Sequence, residues 1–150
     1  MNSIGDAFGK TTKLLFGKEL APVSEFEDWL LRRINAGEVC KSSLSERQIY
    51  LPNYSVFKFI PKQKVAGLDS LNELSARHIE IDDEDGLQEI SEKIKGIETY
   101  ITEFAEGENF DITDSTIYLN LFHAHKIIDC FNSKYIAYNF WTDRNEYTFG

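Results

Sequence analysis

Leu87, Ile90, Ile94, Ile97, Ile101 and Phe104 recur at steps of three and four. That spacing places them on one stripe of an α-helix, while Glu89, Glu92, Lys93, Lys95, Glu98 and Glu103 face away. The spacing predicts a helix over 87–106. Asp82 to Asp85 would put negative charge at its positive dipole end, and Gly107 offers a left-handed stop. Gly96 interrupts the pattern at about 1 kcal/mol relative to Ala, which a close-packed neighbour would explain.

A second long apolar segment, 115–132, carries Ile117, Tyr118, Leu121, Phe122, Ala124, Ile128 and Phe131 around most of a helical circumference. An extended reading of Ile117, Leu119 and Leu121 competes, and helix is preferred. Ser24 with Glu25, Glu27 and Asp28 opens a third helix over 24–35, with Phe26, Trp29 and Leu30 on its apolar face. Arg32 and Arg33 complement its C-terminal dipole. Residues 3–16 suit a short helix capped by Ser3 and stopped by Gly17, and Asp69 suits the cap of another carrying Leu71 and Leu74.

Strands are expected at 47–51 and 54–60, paired antiparallel across Pro52-Asn53, and at 78–82. A terminal hairpin is expected over 135–149. The expected fold is therefore α+β: an antiparallel sheet of four or five strands with about three main helices packed against it. Residues 1–150 are read as one domain, with 1–20 as a docked or mobile N-terminal segment. No repeat or low-complexity tract is read from the sequence.

Charge is segregated. Residues 1–64 hold ten Lys/Arg against seven Asp/Glu, and residues 65–150 hold six against eighteen, giving +3 and −12 within a net −9. A surface this acidic disfavours nucleic acid and steers basic partners. No apolar run reaches the roughly 18 residues of a membrane span, so no membrane association is expected. Cys40 and Cys130 lack metal spacing and read as free thiols of a cytoplasmic protein.

Motif tests fail. Gly5 to Thr11 has three residues between its glycines where a phosphate loop needs four, and lacks a preceding strand. Asp83, Asp85, Gly86 and Glu92 match positions 3, 5, 6 and 12 of a calcium loop, but Ile81 stands at position 1. His123 and His125 would share a face only on a strand. A pairing of either with Cys130 lacks an oxyanion donor. No catalytic residue, metal or cofactor is assigned.

What remains is a partner-binding surface. The acidic run Glu80, Asp82, Asp83, Glu84 and Asp85 and the aromatic residues Tyr138, Trp141 and Tyr147 are its candidate residues. The expected function is an acidic protein-binding module that neutralises or escorts a basic protein, as an immunity-type inhibitor does. A small acidic secretion chaperone is the alternative, followed by an enzyme whose residues converge only in three dimensions.

Overall fold

The computed structural model describes residues 3–150. Helix α1 (Ile4–Phe16) has Ser3 as N-cap in a capping box with Asp6, and Gly17 ends it in the left-handed region. The expected third helix is a short α2 (Glu27–Leu30) between 3-10 turns at Val23–Phe26 and Leu31–Arg33.

Strands β1 (Glu38–Lys41) and β2 (Gln48–Leu51) form an antiparallel hairpin. The Ser42 hydroxyl closes its turn by accepting from the amides of Leu44 and Ser45 at 3.2 Å. Residues 54–60 are not a strand: Ser55–Phe59 is a 3-10 turn lying between Pro52 and Pro61. Strand β3 (Val65–Ala66) leads through a 3-10 turn into α3 (Leu71–Ser75), and residues 78–82 are irregular.

Helix α4 (Leu87–Ile97) is shorter than the spacing predicts. Beyond it, β4 (Tyr100–Ile101) pairs in parallel with β3, and Glu98 binds Lys64 at 2.6 Å. These partners draw the chain out of the helix. Nothing lies within 4 Å of where a Cβ at Gly96 would sit, so no packed neighbour accounts for that glycine. Nor is α4 a spine for a sheet, since none of its residues is buried.

From Ala105 the chain forms a β-solenoid of about four turns, which overturns the expected antiparallel α+β sheet. Strands β5 (Ala105–Glu106), β6 (Phe110–Thr113), β7 (Thr116–His125), β8 (Ile128–Ala137), β9 (Phe140–Asp143) and β10 (Glu146–Phe149) make one six-stranded sheet. Every pairing in it is parallel. The predicted helix over 115–132 and the predicted terminal hairpin both lie inside this coil.

Thr116 pairs with Ile128, and Ile128 with Phe140, so one coil takes twelve residues. Positive φ recurs at every third residue from Asp111 to Tyr147, dividing each coil into four sides of three residues. One residue in each triplet points inward, and Leu121, Ala124, Ile127, Cys130 and Ile136 form a fully buried core flanked by Ile112 and Tyr118. Stacked coils exchange backbone bonds, as from Lys126 N–H to Thr113 and from Tyr138 N–H to His125. At the entry Ala105 pairs with Tyr118, one residue out of the later register, and Gly107 takes φ +74° there.

The N-terminal elements clasp the solenoid. Leu30, Ala137 and Tyr138 make a second core with Phe26, Ile34 and Phe149 packed against it. Phe8 meets Phe149 edge-on at 5.1 Å. Glu27 reaches Lys126, and the Tyr54 hydroxyl donates to Asp129 at 2.7 Å.

Candidate functional site

The acidic run does not act as a unit. Asp85 accepts from the Asp82 amide at 2.8 Å and pairs with Lys93 at 2.6 Å. The Lys93 ammonium, then the Asp82 amide, hold its carboxyl below the usual range. Lys93 also donates to the Glu80 carbonyl at 3.1 Å, which fastens the run onto the second turn of α4. Lys95 is taken by Glu92 at 2.8 Å.

Five carboxylates, those of Glu80, Asp82, Asp83, Glu84 and Glu89, form no salt bridge among the described residues. On the same segment Leu87 is 88% exposed and Ile94 48%, while Ile90 and Ile97 are half-buried. Segment 80–97 is therefore an acidic arm with an open hydrophobic face. Among the described residues no group of three His, Cys, Asp or Glu could hold a metal ion, and Lys93 occupies the Asp85 carboxylate that a calcium loop would use.

The three aromatic candidates part company. Tyr138 is buried between the N-terminal layer and the solenoid, where its hydroxyl donates to Glu27 at 3.4 Å. Burial first, then the Glu27 charge, push its phenol up to about 12. Trp141 is 75% exposed. Tyr147 ends a ladder in which His123 stacks on Tyr135 and Tyr135 on Tyr147, each at 4.9 Å. That separation is the interstrand spacing, so the ladder follows from the coil's register. No hydrogen bond or salt bridge joins Trp141 or Tyr147 to the acidic run among the described residues.

His123 and His125 are on a strand after all, yet they serve different neighbours. The side of the coil is three residues long, so alternate residues diverge at a corner. Asp111 lies 2.7 Å from His123 Nδ1, and Thr113 Oγ1 lies 2.8 Å from His125 Nδ1. Burial holds His125 below the usual imidazole range. Cys130 is fully buried in the solenoid core, and burial raises its thiol.

Three concavities complete the surface. A polar cleft of about 200 Å³ lies where the β1–β2 hairpin meets the solenoid entry, beside Arg47 and Glu103. Arg47 grips Glu103 at 2.6 and 2.7 Å, and Glu103 also accepts from the Leu68 amide at 2.9 Å. This fork ties three segments together, and the cleft is smaller than the roughly 300 Å³ at which ligand pockets begin. An apolar depression of about 530 Å³ runs between α1, α2 and the last coil, lined by Leu15, Phe16, Trp29, Tyr147 and Phe149 among others. A third, about 710 Å³, shares Trp29, Leu30, Thr148 and Phe149 with it and adds Arg32 and Arg33.

Sequence reasoning missed these depressions because it assigned Trp29 to a buried face, whereas it is 64% exposed. Two adjacent arginines beside an aromatic residue were the available signal. No family model, curated protein or solved structure matches the chain.

Proposed function

We propose that the protein is a protein-binding module whose docking element is the acidic arm 80–97, and whose solenoid is a rigid base for it. The observation that carries this reading is the exposed apolar pair of α4, Leu87 and Ile94, with Ile90 and Ile97 half-buried on the same stripe, in a segment that holds five carboxylates without a salt bridge among the described residues. Such a face matches the helix-in-groove mode of recognition, in which anchors at steps of three and four enter an apolar groove. Its charge selects a basic partner and repels phosphate backbones. The partner-binding set expected from sequence narrows accordingly. Asp85 holds the arm together, and Tyr138 belongs to the interior. The narrower roles of immunity-type inhibitor and chaperone draw no support from a β-solenoid and are set aside. Among the described residues no helix is long and apolar enough to cross a membrane.

The test is binding of a Lys/Leu amphipathic helical peptide, followed by fluorescence anisotropy at low salt. The expected result is saturable binding that salt weakens. It should fall at least tenfold when Glu80, Asp82, Asp83 and Glu84 are replaced by Gln or Asn with Asp85 retained. Absent binding, or binding indifferent to those replacements, overturns the reading.

A further inference from the structure

We infer that the arm's partner is a second copy of this chain: α4 of one protomer docks in the apolar depression between α1, α2 and the last coil of the other. This rests on the arm being a docking element and names what it docks to. The two surfaces are complementary in chemistry. The depression is floored by Phe8, Phe26 and Phe149 and walled by the exposed Leu15, Phe16 and Trp29. A neighbouring depression that shares Trp29 and Leu30 with it is lined by Arg32 and Arg33.

Charge matches as well. Arg32 and Arg33, which line the adjoining depression, form no salt bridge among the described residues, and neither do the five carboxylates of the arm. Glu19 and Glu27 are engaged by Lys13 at 3.9 Å and by Lys126.

Size is compatible. An 11-residue helix is about 16 Å long. The depression, about 530 Å³ and sharing part of its lining with one of about 710 Å³, has room for its apolar anchors. Each protomer carries one arm and one depression, so a two-fold arrangement would make the same contact twice and close without further growth. Segregation of charge along the chain then has a physical role: a basic N-terminal layer on one copy receives an acidic element from the other.

The test is sedimentation velocity over a concentration series with three proteins. They are the unaltered chain, an arm variant (Leu87→Asp with Ile94→Asp) and a groove variant (Leu15→Asp with Trp29→Asp). All four positions are exposed, so folding is preserved, and circular dichroism verifies it. The expected result is self-association of the unaltered chain, at least tenfold weaker in either variant. Association should be partly restored when the two variants are mixed, because arm and groove are then each supplied by one partner. A monomeric unaltered chain, an arm variant that associates as well as the parent, or a mixture that restores nothing overturns the inference. If the unaltered chain is monomeric yet binds the Lys/Leu peptide through α4, self-docking fails and the arm reading survives. If it does neither, both fall.

Discussion

Thirteen non-glycine residues take φ between 46° and 59°, spaced by three from Asp111 to Tyr147. Left-handed backbone costs an L-residue about 1–2 kcal/mol, and Asn and Asp carry it best. Five of the thirteen are Asp or Asn: Asp111, Asp114, Asn120, Asp129 and Asn132. Some earn further bonds, since Asn120 donates to Asn132 at 3.1 Å and Asn132 to Asp143 at 3.0 Å, a ladder along one corner of the coil. Other corners hold residues that are poor at it, such as the β-branched Ile117 at φ 55°. Arg144, also at φ 55°, tests mainly the backbone effect, because its side chain is 83% exposed and its 3.4 Å pairing with Asp143 is a surface ion pair worth little. Arg144→Asn is expected to stabilise the fold by about 0.5–1 kcal/mol, whereas Arg144→Val should destabilise it. Urea titration of the two variants against the parent checks the opposite signs.

At the scale of elements, the sequence was legible where local chemistry decides structure. Ser3, Asp6 and Gly17 mark both ends of α1, and the stripe from Leu87 to Ile97 marks α4. It was misleading where the period is three. Tyr118, Leu121, Ala124, Ile127 and Cys130 step inward by three, and over two turns that spacing imitates the three-and-four rhythm of a helix. The twelve-residue repeat is masked in the sequence because the inward positions differ in kind, Leu121 above Ser133 and Ala124 above Ile136. Asp and Asn in phase at 111, 114, 120, 129 and 132 were the legible trace of the corners. For the site, the arm's residues could be read from sequence, while the depression could not, because it arises between segments more than a hundred residues apart. The corrected assignment predicts unequal costs for two similar truncations. Leu121→Ala should cost about 2–5 kcal/mol as a core deletion, and Leu87→Ala less than about 0.5 kcal/mol as a surface change. Thermal or denaturant unfolding of the pair gives both numbers.

At the scale of the whole molecule, stability is divided unequally between regions. The solenoid joins strand to strand through continuous parallel ladders, and the N-terminal layer is fastened to it by Leu30, Phe8 and the contact of Glu27 with Lys126. The arm is attached by Lys64, which reaches the Lys95 carbonyl and Glu98, and by short strand pairing just beyond it, and it buries no residue of α4. Segments with few buried apolar contacts open at low free energy. Hydrogen exchange, read segment by segment at low and high protein concentration, is the most direct measurement of this division. At low concentration the amides of 116–137 should exchange slowly and those of 87–97 much faster. At high concentration the arm and the lining of the Trp29 depression should gain protection together. An arm as protected as the solenoid in the dilute protein, or one that gains no protection as concentration rises, would contradict an exposed docking element that pairs with a second copy.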